Sequence, residues 1–476
     1  MKFIIRGEII HNDVQTMAQV FFQNRGFELV TRVPDAGLCL EVANCDETVF
    51  AKLYVDGAEA RGDAVPISLE DDKGINRAVK LAIFNVLAAY TGYRPPWGLL
   101  TGIRPAKIAT GLIGRGFCED EARDAFEAYY LVEPGRARLC VQVAAAQQGI
   151  VEGCEGAISI YIAVPFCPSI CLYCSFSSYS VDKFGKYMDD YVAALCQEIE
   201  FLGKAVRDKR VENIYIGGGT PTALDDANFE RLLAQVAESF DNAMAGVKEY
   251  SVEAGRPDTI TEQKLGIMKK FGVGRISINT QSLNDATLTK IGRGHTAAQF
   301  FDAYNLACDA GFEHINIDLI LGLAGEGPDN VRRTFEGICA LEPKAVTVHT
   351  LAVKRASRLH QELGTLPLTA VACMEQMLEA AASYMSDANL MPYYLYRQKN
   401  SLGNFENIGY AAAGYEGRYN VQVMEERQSV YAAGAGAVSK LVTSRDDRIE
   451  RIFNLRNPVE YIRRVDEMIE RKGGLV

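Results

Sequence analysis

The stretch Ile158-Ser-Ile-Tyr-Ile-Ala-Val-Pro-Phe-Cys167-Pro-Ser-Ile-Cys171-Leu-Tyr-Cys174 decides how the rest of the chain is read. Its first part, through Phe166, is rich in β-branched and aromatic residues and predicts a strand. Its second part is a CxxxCxxC run, so three thiols leave one loop just past that strand. A [4Fe–4S] cube takes a thiolate on each iron, and this loop supplies three. The remaining iron is then open to a small ligand, the arrangement of a cluster that does chemistry in contrast to one that only carries electrons. Spacing alone leaves two other readings open. Structural zinc usually takes four ligands from paired knuckles, and the sequence has no second CxxC. A thioredoxin-type pair would use Cys171 and Cys174 and leave Cys167 without a role.

Outward from this stretch the pattern is regular. Apolar, β-branched runs at Ile158–Val164, Asn213–Ile216, Glu249–Glu253, Arg275–Ile278, Ile315–Ile320 and Ala345–Thr350 predict strands. Helical periodicity fills the gaps, as with Tyr187, Tyr191, Leu195, Ile199 and Leu202 on one face. Strands apolar throughout, alternating with helices, predict a parallel sheet covered by helices. The economical α/β fold is a partial (βα)6 TIM-like barrel over residues 156–352. Residues 1–155 read as a separate α/β accessory domain. Strands are expected in Met1–Ile10 and Leu38–Val65, with helices at Val14–Asn24, Asn76–Tyr90, Glu119–Tyr130 and Arg136–Gln148. Its loop Pro95–Pro105, holding the only Trp, reads as a packed connection. After about 352 the repeat stops, and residues 353–476 read as a C-terminal elaboration closing the barrel.

Composition bounds the partners. The chain has 476 residues, 48% hydrophobic and 23% charged, ordinary for a globular protein. A net charge of −11 without a basic run argues against sequence-independent nucleic-acid binding. No run approaches the roughly 20 apolar residues of a membrane span, and the first residues do not read as a signal peptide. Twelve cysteines in such a chain point to a reducing compartment, so the cytoplasm is expected. Nine of them (Cys39, Cys45, Cys118, Cys140, Cys154, Cys196, Cys308, Cys339 and Cys373) read as small core hydrophobes.

In a βα barrel, active sites gather at the carboxyl ends of the strands, and polar motifs follow each predicted strand. After the second comes Gly217-Gly-Gly-Thr-Pro-Thr222, whose glycines would let backbone amides approach a ligand. The third ends in Ser251-Val-Glu253-Ala-Gly-Arg256, a carboxylate suited to an ammonium or a ribose hydroxyl, or to a rim salt bridge. The fourth gives Asn279 and Gln281, followed by Arg293 and His295. The fifth gives Asn316 and Asp318, and the sixth His349-Thr-Leu-Ala352. His295 and His349 read first as ordinary hydrogen-bonded rim histidines, with an acid–base role as the alternative.

The order of CxxxCxxC, GGGTPT and IDLILGL resembles the radical S-adenosylmethionine (SAM) enzymes. More narrowly, Tyr161 to Cys167, Gly217–Thr222, Glu253, Gln281, Arg293 and Asp318 resemble the oxygen-independent coproporphyrinogen III oxidase family. LLTGIRPAKI, VEAGRPDTIT, HTLAVKRAS and YYLYRQKNSLGNFEN look like its HemZ-type branch, so the resemblance covers essentially the whole chain. It implies that Cys167, Cys171 and Cys174 hold a [4Fe–4S] cluster whose open iron is chelated by SAM. It implies SAM contacts from Tyr161, Tyr173, Gly218, Gly219, Thr220, Glu253 and Ala352. Gln281, Arg293 and Asp318 match positions that contact a SAM molecule in the family, a second one in some members. The implied reaction is oxidative decarboxylation of coproporphyrinogen III to protoporphyrinogen IX, with an electron donor such as flavodoxin or ferredoxin. Two features depart from the well-studied oxidases. Phe176 stands where they carry a further cysteine, which is closer to the family's haem-chaperone branch. That branch in turn has a His-Asn pair where this chain has Arg397-Gln-Lys-Asn400. A haem-binding trafficking protein and a radical SAM enzyme for another tetrapyrrole are therefore the alternatives. Arg256, Lys354, Arg355, Arg397 and Lys399 are the cations to test against propionates, each reading first as an ordinary solvated or salt-bridged side chain.

Overall fold

Six parallel strands, Ala157–Val164, Arg210–Gly218, Glu249–Val252, Arg275–Ser277, His314–Leu321 and Ala345–Thr350, lie side by side in chain order in the computed structural model. This is the expected partial βα barrel. The first strand buries every side chain but Tyr161, as a strand covered on both faces requires. The helix Met188–Ala205 buries Tyr191, Leu195, Ile199 and Leu202, while Tyr187 sits in the turn ahead of it. Side-chain caps start several barrel helices: Asp225 accepts from Asn228 N, Thr261 from Lys264 N and Thr296 from Gln299 N.

The strand pattern does not stop at 352. Ser429–Ala433 runs parallel beside the first strand, followed outward by antiparallel Val438–Val442 and Ile449–Phe453. At the other edge, Glu406–Ala411 pairs antiparallel with Ala345–Thr350, and Met391–Arg397 lies outside it. Among the described residues the sheet therefore has 11 strands. Ser429–Ala433 escapes a repeat-based reading because it is short and its partner strand lies far back in the chain. Behind it, Glu198 is wholly buried and accepts from Asn454 Nδ2, Tyr461 Oη, Gly434 N and Lys472 Nζ.

The described residues are 1–22, 26–68, 73–362, 369–399, 401–442 and 449–475; the expected helix end at Asn24 and the position Asn400 lie outside them. They divide into two units, Met1–Ala144 with Arg397–Phe405, and Ala145–Tyr396 with Glu406–Val476. The first unit has a five-stranded sheet in the order Glu28–Leu29, Lys2–Arg6, Leu38–Cys45, Thr48–Val55, Ala58–Pro66. Its core joins Phe3, Leu40 and Leu53 from the sheet to Val14, Met17, Ile83 and Phe84 from the helices His11–Phe21 and Gly74–Thr91. Trp97 is buried, with the Arg397 guanidinium 5.2 Å over its ring. Arg397 also donates to the carbonyls of Leu100 and Asn404. The Trp loop is thus a packed connection, and Arg397 is a cation of this unit's interior instead of a propionate ligand.

Cys39, Cys140, Cys154 and Cys196 are buried as expected, but Cys45, Cys118 and Cys308 are exposed. Cys118 precedes the helix Glu119–Tyr130, a capping position where a small side chain serves without burial. Among the described residues, no helix is long and apolar enough to cross a membrane.

Candidate active site

The cysteine loop is closed at its base by a two-residue parallel pairing of Phe166–Cys167 with Tyr179–Ser180. Neighbouring strand-end loops hold it from outside. Leu172 N donates to Ile291 O at 2.9 Å, Ser169 Oγ to Gly292 O at 2.8 Å, and Leu359 N to Leu172 O at 2.9 Å. Arg256 is buried, grips Asp258 with Nε and Nη2 at 2.9 and 2.8 Å, and donates Nη1 to Ser169 Oγ at 3.1 Å. It is therefore committed to the cysteine loop and is no candidate for a propionate. Cys167 Sγ lies 3.4 Å from Thr220 Oγ1, and Cys174 Sγ 3.9 Å from Ser178 Oγ. Burial pushes both thiols above their ordinary range. Among the described residues, no three His, Cys, Asp or Glu side chains form a group that could hold a metal ion. The thiolates of a cubane each meet a different iron, so they need not converge as the ligands of one ion do.

The glycine run is explained by crowding. A Cβ on Gly217 would lie 2.7 Å from Glu253 Oε2 and 2.8 Å from the Tyr215 ring. One on Gly219 would lie 2.6 Å from Phe166 O and 3.1 Å from Cys167 Sγ. Gly218 has φ +112°, a region natural to glycine. The amides of Gly218, Gly219 and Thr220 are spent on Glu253, Val164 O and Phe166 O. The expectation that they point at a ligand is corrected: these glycines bring the cysteine loop and Glu253 close together.

Glu253 accepts from Tyr215 Oη at 2.5 Å and Gly218 N at 3.1 Å. Burial, with Asp318 nearby, pushes its carboxyl up to about 7 against the pull of those two bonds. Tyr215, Tyr161 and Tyr419 form a triangle of near-parallel rings, with centroids 6.2 Å (Tyr161–Tyr215), 4.3 Å (Tyr215–Tyr419) and 6.4 Å (Tyr161–Tyr419) apart. On the fifth strand, Asp318 accepts from Asn316 Nδ2 at 2.7 Å and lies 3.7 Å from His349 Nε2. Burial would raise its carboxyl, but His349, Asn316 and Thr347 outweigh that and hold it below the ordinary range. Gln281 is 7% exposed, adopts φ +70°, and has no partner for Oε1. Its backbone bridges to the fifth strand through Asp318 O and Ile320 N. Arg293 donates to Gly255 O and to Tyr173 Oη, leaving Nε buried without a partner. Ala352 is half-buried just past the sixth strand. A three-thiol loop beside a buried carboxylate, an unmatched amide oxygen and an unmatched guanidinium N–H fits a cluster with a zwitterionic ligand.

Of the two histidines, His349 is hydrogen-bonded as expected and His295 is not. His295 is 3% exposed, neither ring nitrogen has a partner, and burial, reinforced by Arg293, pushes it down to about 4. It is a neutral imidazole, not a hydrogen-bonded rim residue. His349 Nδ1 and Tyr396 Oη share a hydrogen bond, 3.2 Å apart. Of the remaining cations, Lys354 is half-buried and Arg355 and Lys399 are exposed. Tyr215, Tyr419 and Tyr396 were not foreseen. Tyr215 was findable, since it lies opposite Tyr161 in the parallel register and two residues before Gly217. Tyr419 comes from the C-terminal helix Arg418–Glu425, for which no spacing gave a signal.

Residues 161–338 match the model of the radical SAM superfamily. The oxygen-independent coproporphyrinogen-III oxidase-like protein HemZ of Bacillus subtilis is 33% identical over 480 residues, covering 98% of this chain and 96% of its own. The heme chaperone HemW of Lactococcus lactis is 29% identical, covering 65% of this chain and 77% of its own. Among solved structures, coproporphyrinogen III oxidase (HemN) of Escherichia coli, titled a radical SAM enzyme, is a likeness of fold. It has a TM-score of 0.50 at 21% identity, over 68% of this chain and 73% of that one. Radical SAM proteins use a [4Fe–4S] cluster and SAM, and the match along almost its whole length makes this chain a member of the oxygen-independent coproporphyrinogen III oxidase-like family, in its HemZ-type branch.

Proposed function

We propose that this chain is an oxidoreductase that converts coproporphyrinogen III to protoporphyrinogen IX by oxidative decarboxylation of two propionates. The observation that carries the reading is the polar constellation around the cysteine loop, in a chain related over its whole length to a coproporphyrinogen-III oxidase-like protein. Cys167, Cys171 and Cys174 would hold the cluster, and with SAM it would supply the carbon radical that removes a hydrogen atom. The chain's own residues bind and shield. Glu253 would accept the methionyl ammonium or a ribose hydroxyl of SAM, and the unmatched Gln281 Oε1 and Arg293 Nε would meet further polar groups. Tyr161, Tyr215 and Tyr419 wall the interior with aromatic carbon. Lys354 is the half-buried cation for a propionate. A flavodoxin or ferredoxin would be the reductant, with the cytoplasm as the compartment.

The test is anaerobic. The full chain is reconstituted with iron and sulfide, reduced, and given SAM and coproporphyrinogen III. 5′-Deoxyadenosine and protoporphyrinogen IX should appear together, and Cys171→Ala should abolish both. Deoxyadenosine without a vinyl product would keep the radical chemistry and discard this substrate. A second reading, a haem-trafficking protein, is favoured by Phe176, which replaces the oxidases' cysteine and is 75% exposed. Stoichiometric haem binding with neither product would establish it.

A further inference from the structure

Asp318 is held by two side-chain relays that meet on the same oxygen. In one, Thr347 Oγ1 donates to Asn316 Oδ1 at 3.0 Å, which turns the Asn316 amide so that Nδ2 donates to Asp318 Oδ1 at 2.7 Å. In the other, Tyr396 Oη sits 3.2 Å from His349 Nδ1, and His349 Nε2 faces the same Oδ1 at 3.7 Å. The second approach is too long for a hydrogen bond but close enough for an N–H dipole or a charge to act. A tyrosine hydroxyl donating to Nδ1 leaves the proton of a neutral imidazole on Nε2, the nitrogen turned to the carboxylate. Both relays end on Oδ1, and the Asp318 side chain keeps 23% of its surface open.

We propose that His349 and Tyr396 are positioning residues that fix Asp318 as an anion with Oδ2 presented to the bound SAM. This rests on the reading that Asp318 contacts SAM. Strand pairing makes the relay possible: His349 lies opposite Ile320, two positions along the ladder from Asp318 opposite Thr347 and so on the same face of the sheet. Tyr396 arrives from the strand Met391–Arg397. His349 is thus drawn into the site by a strand beyond the six-strand core.

The experiment measures SAM affinity of the cluster-loaded full chain by equilibrium dialysis, with iron content as the check that each variant is intact. His349→Leu should weaken SAM binding about tenfold, the scale of a lost interaction with a charged group. His349→Gln, which keeps an N–H donor and an acceptor for Tyr396, should stay within about threefold of the parent, and Tyr396→Phe should lose about threefold. Asp318→Asn separates the two premises. If it binds SAM like the parent, Asp318 does not contact SAM and the inference falls with that reading. If it weakens binding while His349→Leu does not, only the positioning role falls. Gln no better than Leu would also overturn it. Should His349→Leu fail to hold its cluster, Tyr396→Phe carries the test alone, and unchanged affinity overturns the relay.

Discussion

At the scale of single residues, Glu253 is the most informative titrating group. Its carboxyl, ordinarily near 4.5, is pushed up to about 7 by burial and by Asp318. Between those values the native chain binds more protons than the unfolded one, so this group's contribution to stability is present in acid and falls as pH rises. From this group alone the ligand-free protein should lose melting temperature on going from pH 5 to pH 8, while His295, held down to about 4, works the other way up to about pH 6.5 in parent and variant alike. Glu253→Gln should remove on the order of 3 °C of that loss. An unchanged slope, measured by thermal scanning of both proteins, would show that Glu253 is ionised throughout. The places of Glu253 and the three cysteines were legible because they follow strands in the sequence, and that of Asp318 because it is the one acid inside an apolar strand. The facing of His349 and Asp318 was not, since it depends on which strands are neighbours and in what register. Arg256 and Arg397 could not be told from propionate ligands for a related reason. A cation in sequence carries no sign of whether backbone carbonyls and a local aspartate have already claimed it.

At the scale of elements, the glycine loop and the cysteine loop behave as one piece. Gly219→Ala would drive a methyl against Phe166 O and Cys167 Sγ. It should cut iron retained after reconstitution to well under half while the far-ultraviolet circular dichroism stays unchanged. Full iron loading would mean the cysteine loop can retreat without losing its cluster. The six parallel strands and their helices were readable because strands buried on both faces are apolar throughout, and the chain alternates them with amphipathic helices. Edge strands carry weaker marks. Ile449–Phe453 has no buried residue, and Val438–Val442 has one, so neither shows the apolar run that betrays a central strand.

At the scale of the barrel unit, Asn454, Tyr461 and Lys472 are fastened to the helix Met188–Ala205 through Glu198. Lys472 and Glu198 are both wholly inaccessible to solvent, and burial holds the lysine below its ordinary range despite the carboxylate. Lys472→Met would leave that charge without its cation, a loss of about 3–5 kcal/mol. Urea unfolding should register it as an early transition, and adding Glu198→Gln should restore part of the loss. No loss in the single variant would mean that Asn454, Tyr461 and Gly434 suffice. The pairing of Ser429–Ala433 with the cysteine-bearing strand also bears on the order of events during synthesis. Ser159 meets Gln428 across 269 residues of chain, so at roughly 5–20 residues per second the strand feeding the cysteine loop remains an open edge for tens of seconds. Throughout that interval three thiols are presented on an unfinished sheet. A cell making this protein must deliver iron and sulfide after Ser429–Ala433 has emerged, or keep those thiols from oxidising until it has.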